Sequence, residues 1–448
     1  MKNPNILFIF SDQQRWDTIG VYGHQPSITP NLDHLAGEGV RFEHAFTPQP
    51  LCGPARACLQ TGRYPTEIGC HVNNRMLPVE EQTIAKILAS HGYETAYIGK
   101  WHLASGPDNY RTSPVPVERR GGYADYWLAS DVLEFTSHAY DGHVFDMNGM
   151  QRDFPPGKYR VDVLTDWVIE YLRGRKSQRP FFLFVSFIEP HHQNDHHHFE
   201  GPEGSKEKFK TFTIPGDLVD TRGDWRIEFP DYLGCINSID QNIGRIRTAL
   251  DELGLSDNTL IIYTSDHGCH FRTRNLEYKR SCHDASIRVP LIIRGPGFEG
   301  GKTVDELVSL IDLPATILST AGVSEIPATI RGRKLQDLVA GKPRDWRDSV
   351  FVQISESQCS RAVRTREWKY SVKAPGLKFS APDSSVYEED CLYDLQRDPF
   401  ERRNLVTSKD HGSKRQQLKD LLIQCMTQAG EKPPEIIPRH GRAWHWFH

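Results

Sequence analysis

No stretch of the 448 residues approaches the roughly 20 apolar positions that a membrane-spanning helix needs, so no membrane span is expected. Charge of one sign is lacking too. The formal net charge of −4 exerts no overall pull toward nucleic acid or an anionic membrane surface. Cysteine is sparse: nine thiols, an odd number, with no Cys-x-x-Cys pair, exclude a disulfide framework and argue against a structural zinc site. Internal repeats, heptads and low-complexity tracts are absent, which removes solenoids and coiled coils. The apolar part of the N-terminus, Asn5 to Phe10, is too short for a signal peptide and runs into Ser11-Asp12. A cytoplasmic location is expected if the chain is whole, and a periplasmic or secreted one if a leader has been removed.

What the chain does have is length enough for a large core and more than one structural unit. It also has a recurring pattern: a nearly continuous apolar run that ends abruptly in polar residues. Asn5–Phe10 ends in Ser11-Asp12-Gln13-Gln14, Glu94–Ile98 in Gly99-Lys100-Trp101-His102, Phe181–Phe187 in Ile188-Glu189-Pro190-His191-His192, and Leu260–Tyr263 in Thr264-Ser265-Asp266-His267-Gly268. Interleaved with helical stretches such as Gln82–His91 and Val161–Arg173, these runs predict an α/β fold with a large, mostly parallel sheet flanked by helices. Such sheets bind ligands beyond the carboxyl ends of their strands, so the four polar ends point to one shared site.

Beyond about residue 345 the pattern changes. Ser349–Ile354, Ala362–Thr365, Glu367–Val372 and Cys391–Leu395 are short, alternating and close together, and Lys409–Gly430 reads as a helix. This predicts a catalytic unit over 1–345 and a small antiparallel α+β subdomain over 346–448, with 374–386 as a loop inside it. The segment from His191 to Gly216 is polar, holds five histidines and reads as a long surface loop beside the site.

Chemistry concentrates at Leu51-Cys52-Gly53-Pro54-Ala55-Arg56, followed by Thr61-Gly62-Arg63. Pro54 suits the first turn of a helix, which places Cys52 just before a helix N-terminus, where a thiolate is activated or an anion is bound. Arg56, one turn on, points back at the same spot.

Cys-x-Pro-x-Arg followed by Thr-Gly-Arg resembles the signature of the type I, formylglycine-dependent sulfatases of the alkaline phosphatase superfamily. The resemblance extends in the same order through Gly92–His102, Pro190-His191, Ser265–Gly268, Lys279 with Ser286–Pro290, and Leu392–Leu395 with Asp398-Pro399, Glu401 and Asn404-Leu405. It implies an alkaline-phosphatase-like fold and a sulfuric ester hydrolase. In that family the cysteine is oxidised by a formylglycine-generating enzyme to formylglycine (3-oxoalanine), whose hydrate attacks sulfur.

By the same resemblance Asp12, Gln13, Asp266 and His267, with the modified Cys52, hold one divalent cation. Carboxylate and amide oxygens suit Ca²⁺, with Mg²⁺ or Mn²⁺ as alternatives. Gln13 and His267 depart from the Asp and Asn of many members, and the imidazole shifts preference toward Mn²⁺ or Zn²⁺. Lys100, His102, His191 and Lys279 match the sulfate-contacting and acid/base positions, and Arg56 the residue that holds the nucleophile. Fixed cations around a sulfuryl group lower the barrier because charge builds on its oxygens and on the leaving group.

On the substrate side, His283 and Asp284 replace the Tyr-Glu of many relatives. The run His192-Gln193-Asn194-Asp195-His196-His197-His198 could bind a sugar, bind a second metal or form a flexible loop. Arg361, Arg364 and Arg366 could reach an acidic saccharide or form a solvated strand face. The expected substrate is a sulfate ester, small or oligosaccharide, with a sulfated carbohydrate favoured by the polar loops. Phosphonate monoester hydrolases, phosphodiesterases and choline sulfatases share the Asp-Gln and Asp-His pattern, but carry a C-terminal extension that this chain, ending soon after its last helix, is expected to lack. A glycan-binding protein on an inactive sulfatase fold would show a gap in the nucleophile, metal or acid/base set, and none is found.

Overall fold

Alternation inside the apolar runs decides how the chain is layered. The computed structural model describes residues 3–106, 110–341 and 345–439. Its large sheet contains β1 (Asn5–Ser11), β2 (Val40–Phe46), β3 (Glu94–Lys100), β4 (Tyr126–Ser130), β5 (His143–Phe145), β6 (Gln151–Asp153), β7 (Phe181–Ser186), β8 (Thr259–Ser265), β9 (Arg288–Val289), β10 (Leu291–Arg294) and β11 (Lys302–Ser309). The spatial order is β11-β2-β10-β8-β1-β7-β3-β4-β5-β6, with β9 paired to β2. The central run β8-β1-β7-β3-β4 is parallel throughout, and antiparallel pairs are confined to its flanks.

Successive residues of a strand point to opposite faces. Ile6, Phe8 and Phe10 of β1 enter one core with Phe182, Phe184, Leu260 and Ile262, and with Ala57 and Leu59 of helix α1 (Cys52–Thr61). Leu7 and Ile9 enter a second core with Leu183, Val185, Ile261 and Tyr263. Helices α2 (Arg160–Gly174) and α3 (Trp225–Glu252) cover that face through Val161, Leu164 and Val168 and through Ile239, Ile243 and Ile246. Both faces of β1, β7 and β8 are therefore buried, which is why their sequences read as continuous apolar runs. Across the first core runs an aromatic ladder: Phe184 stacks on Phe8 at 4.6 Å and on Tyr97 at 5.0 Å, and Tyr97 on Trp127 at 5.3 Å.

A second, five-stranded sheet follows in chain order: β12 (Ser349–Ile354), β13 (Ser360–Thr365), β14 (Trp368–Lys373), β15 (Val386–Asp394) and β16 (Glu435–Ile437). It is antiparallel except that β16 joins β15 in parallel. Helix α4 (Gly412–Gln428) packs on it through Leu418, Leu422 and Met426. The expectation that Arg361, Arg364 and Arg366 form a solvated face or reach substrate holds only for Arg366, which is exposed to solvent. Arg361 is 1 % exposed and pairs with Glu431 at 2.8 Å, Arg364 pairs with Asp284 at 3.2 Å, and Arg366 with Asp305. Alternation marked them as strand residues, but their acidic partners lie far away in sequence. Among the described residues no helix is long and apolar enough to cross a membrane.

Phe184 sits at the centre of the ladder with 1 % of its surface exposed. Phe184→Ala is expected to lower stability by about 3–5 kcal/mol, read from the midpoint shift in denaturant unfolding. A loss within the range of ordinary surface substitutions would show that the ladder does not hold the sheet.

Candidate functional site

Register places the chemistry. β1 and β8 pair in parallel from Asn5↔Thr259 to Ser11↔Ser265, so the next residue of each, Asp12 and Asp266, emerges side by side at the carboxyl edge. Gln13 follows in left-handed backbone, φ 70°, its N–H donating to Asp266 Oδ1 at 2.9 Å and its carbonyl accepting the Tyr232 hydroxyl at 2.7 Å. Strain of this kind in a non-glycine residue persists only where the surroundings enforce it, and it gathers at functional sites. On the other side of β1, β7 leads through Ser186 to His191, and β3 ends in Lys100. Gly99, at φ 108°, permits this: a Cβ there would lie 2.0 Å from the Ser186 carbonyl oxygen.

Helix α1 begins at Cys52 itself, with Leu51 as its cap, one residue earlier than the sequence suggested. The Gly53 N–H donates to Asn73 Oδ1 at 3.0 Å, so one of the free donors of the first turn is already engaged. The Cys52 thiol is 1 % exposed, and its sulfur lies 2.8 Å from Lys279 Nζ, 3.3 Å from His267 Nε2 and 3.4 Å from Asp12 Oδ1. Lys279 Nζ also donates to His191 Nε2 at 3.1 Å and lies 3.5 Å from Gln13 Oε1. Arg56 is held by the Lys100 carbonyl at 2.9 Å and Ser186 Oγ at 2.7 Å, and reaches Asp12 Oδ2 at 3.0 Å and Asp266 Oδ2 at 3.7 Å. It therefore faces the carboxylates beside the sulfur.

Lys100 is wholly buried, 2.8 Å from Asp12 Oδ2 and 3.1 Å from Glu134 Oε2, close ion-pair contacts without hydrogen-bond angles. His102, also left-handed at φ 58°, is set by its N–H donating to the Asp131 carbonyl at 2.6 Å. The Asp131 carboxylate then accepts the N–H groups of Leu103 and Ala104 at 3.0 and 2.8 Å and the Ser105 hydroxyl. Cys52, Gln13, His102 and His191 line a cavity of about 80 Å³ with His192, Lys279, Asn73, Glu134, Asn194, Tyr278 and Arg280. That is room for a tetrahedral anion or for two to three waters at about 30 Å³ each.

Burial and the neighbouring Asp12 push the Cys52 thiol up to about 12. Burial also raises Asp12, but Lys100, His191, Lys279 and Arg56 outweigh it and hold that carboxyl well below its ordinary range. Burial and Asp12 raise Asp266. Burial lowers His267 and His191, aided by Lys279, and lowers His102, aided by Lys100, so all three imidazoles are neutral. His267 Nδ1 faces the Gly268 carbonyl at 2.9 Å and must donate to it, which leaves Nε2 as a lone pair beside the carboxylates.

Asp12, Cys52, Asp266 and His267 each place one ligand atom within 4.8 Å of the others, all buried, and Asp266 Oδ2 has no hydrogen-bond donor. Two adjacent dry carboxylates, one with an unused oxygen, and an imidazole with its lone pair directed inward fit a divalent cation.

The structure thus brings Asp12, Gln13, Cys52, Arg56, Lys100, His102, His191, His192, Asp266, His267 and Lys279 to one place. Two of the expected substrate residues lie elsewhere. Asp284 is engaged by Lys369 at 2.5 Å and by Arg364, an ion-pair cluster with the second sheet. His283 bonds the Tyr393 hydroxyl at 3.1 Å and lines a separate cavity of about 420 Å³. Glu134, Asn73 and Tyr278 were not anticipated. Glu134 had a signal: Tyr126–Ala129 is a fifth apolar run, ending in Ser130-Asp131, and Glu134 lies in the turn after it.

The family model described as Sulfatase matches residues 4–323, and that described as N-sulphoglucosamine sulphohydrolase, C-terminal, matches residues 275–428. An ulvan-active sulfatase of Formosa agariphila is 30 % identical over 96 % of this chain and 82 % of its own length. A structure in complex with its substrate D-glucosamine-2-N,6-O-disulfate superimposes with a TM-score of 0.77 at 26 % identity, covering 96 % of this chain and 98 % of that one. The phosphonate monoester hydrolase of Agrobacterium radiobacter, 24 % identical with a TM-score of 0.73 over 95 % and 96 % of the two chains, shares the fold. With a family model spanning most of its length, the chain belongs to the sulfatase family of the alkaline phosphatase superfamily and is a sulfuric ester hydrolase.

Proposed function

We propose that the enzyme releases inorganic sulfate from a sulfated carbohydrate, with Cys52 oxidised to formylglycine and one divalent cation, Ca²⁺ by preference, with Mg²⁺ or Mn²⁺ as substitutes. Residues 1–345 form the catalytic unit in this reading, and 346–448 the smaller subdomain. One observation carries it: Cys52 Sγ lies within 2.8–3.4 Å of Lys279 Nζ, His267 Nε2 and Asp12 Oδ1 at the base of a small polar cavity. An unmodified thiol held up near 12 is a poor nucleophile at neutral pH, whereas the sulfur position is where a formylglycine oxygen would sit.

When present, the formylglycine hydrate supplies the oxygen that attacks sulfur, and the cation supplies charge neutralisation for that oxygen and the sulfuryl group. Asp12, Gln13, Asp266 and His267 would hold the cation. Lys100 and Lys279 place ammonium groups beside the sulfuryl oxygens as the bond from sulfur to the sugar oxygen breaks. Asp266 accepts the proton of the attacking hydroxyl. His191, linked to Lys279 at 3.1 Å, shares with it the delivery of a proton to the departing alcohol. His102, neutral and lining the cavity, is placed to take a proton from the group at position 52, which would assist the departure of sulfate. Arg56 holds Asp12 and Asp266 in place. At 1 % exposure Cys52 is out of reach in the folded chain, so a formylglycine-generating enzyme must act before folding closes over it.

The sulfated carbohydrate is supported by the polar cavity mouth, with Asn73, Asn194 and His192, and by relatives that act on ulvan and on a disulfated glucosamine. A second reading, hydrolysis of a phosphonate monoester or phosphodiester, is favoured by Gln13 and His267 and by the shared fold of a phosphonate hydrolase.

Cys52→Ala is expected to fold normally and to lose sulfate-ester turnover to background, measured as released sulfate with a phosphodiester assayed in parallel. Substantial residual turnover would contradict the mechanism, and a wild type that turns over the phosphodiester in preference would establish the second reading. His191→Ala should slow a sugar sulfate, whose alcohol leaves poorly, by about 10²–10⁴ and slow an activated aryl sulfate much less. Equal losses on both would remove His191 from proton delivery.

A further inference from the structure

The cavity at Cys52, about 80 Å³, takes a sulfuryl group and leaves no room for the sugar that carries it. A larger cavity of about 420 Å³ comes next along the segment after β8, within the range of about 300–1,000 Å³ that ligand pockets occupy. Lys279 and Arg280 wall the smaller cavity; Arg280, Ser281, Cys282 and His283 wall the larger one. The second sheet closes it with Lys373, Asp390 and Tyr393, and the loop after β15 adds Arg402.

The charge of this larger cavity is one-sided. Asp390 is the only carboxylate among its lining residues, and Lys373 and Arg439 share it at 3.2 Å each. Arg280 is answered twice, by Glu277 at 2.9 Å and by Glu356 at 2.8 Å, and stands as a fixed divider between the two cavities. Arg402 is not answered. Its Nη2 donates to the carbonyls of Gly216 and Val219 at 2.5 and 2.6 Å, which fixes the guanidinium from one side. Among the described residues it forms no ion pair, and its buried Nε has no hydrogen-bond partner. A buried N–H left unpaired is costly, and a guanidinium anchored on one edge offers the other to an oxyanion through parallel N–H groups.

We propose that this cavity is a second subsite for the substrate, holding an anionic group, sulfate or carboxylate, of a sugar next to the one whose sulfate enters at Cys52. The inference rests on the sulfated carbohydrate proposed above and narrows it to a polyanionic oligosaccharide. Arg402 and Lys373 bind the anion. The Tyr393 hydroxyl, 3.1 Å from His283 Nε2, keeps acceptor capacity for a sugar hydroxyl. The subsite contributes affinity and leaves the chemical step alone.

The test is calorimetric binding of a heparin-derived tetrasaccharide to the full chain carrying Cys52→Ala, which prevents turnover. Lys373→Gln, Arg402→Gln/Lys373→Gln and a control, Lys206→Gln/Lys210→Gln, are compared with this parent. Lys373 is partly exposed, so its truncation leaves the core intact and keeps the test readable if Arg402→Gln does not fold. The double variant is expected to lose about tenfold in affinity, as for lost charge-assisted hydrogen bonds, and Lys373→Gln part of that. The control removes the same charge from exposed lysines and should bind like the parent. A loss that disappears when the uronate carboxyls are reduced to alcohols assigns the subsite to a carboxylate, and one that persists assigns it to sulfate. With Cys52 restored, the variants should turn over a chromogenic aryl sulfate within about twofold of the unsubstituted enzyme, since the small cavity is untouched. Unchanged tetrasaccharide affinity in the variants would overturn the proposal, as would an equal loss in the control or an equal loss of aryl sulfate turnover. An unsubstituted enzyme inactive on every sulfate ester would count against the proposed reaction and leave the binding comparison standing.

Discussion

Two carboxylates, Asp12 and Asp266, lie side by side without access to water at the carboxyl edge of the central strands. Placing like charges together in a dry interior is costly unless cations answer them. The rest of the site follows from that demand. Arg56 comes from the helix that begins at Cys52 and Lys100 from β3, and Lys279 arrives from the segment after β8. The charge balance among them holds Asp12 ionised while burial and Asp12 raise Asp266. A divalent cation bound there would complete the balance, since it would let both carboxylates ionise together.

The same demand shapes the second layer. A cation as dry as Lys100 needs more than one counter-charge, and Glu134 supplies the second. His102 must turn back toward the cavity after β3. Asp131 enables this by collecting the N–H groups of the loop that follows, and the left-handed backbone at His102 is stabilised by those bonds. None of these groups needs to touch substrate to matter. They hold neutral imidazoles and ammonium groups at fixed positions around the cavity, so that little reorganisation is required when charge develops.

Much of this was legible in the residues. Runs such as Asn5–Phe10 and Leu260–Tyr263 could only be strands buried on both faces, and their polar ends could only meet where parallel strands end. Helix boundaries were readable to within a few residues: Val161–Arg173 became Arg160–Gly174, and Lys409–Gly430 became Gly412–Gln428 after a short turn. The arginines of β13 were not legible. Alternation cannot report that Arg361 is answered by Glu431 or Arg364 by Asp284, because pairing across many residues leaves no local trace. The partners of Asp284 were not legible for the same reason. The resemblance marks it as a substrate group in place of the Glu of many relatives, while Lys369 and Arg364, which engage it, belong to the second sheet. Glu134 could have been found from its strand, Asn73 from nothing local.

The central claim is that position 52 supplies the attacking oxygen only after oxidation, and the mass of one peptide tests it. Trypsin releases Phe42–Arg56, and conversion of cysteine to formylglycine lowers its mass by about 18 Da. Measured on enzyme from its native host, alongside sulfate release by the same sample, the account predicts the lowered mass and turnover that scales with the converted fraction. Full turnover from a sample whose residue 52 is wholly unmodified cysteine would contradict it.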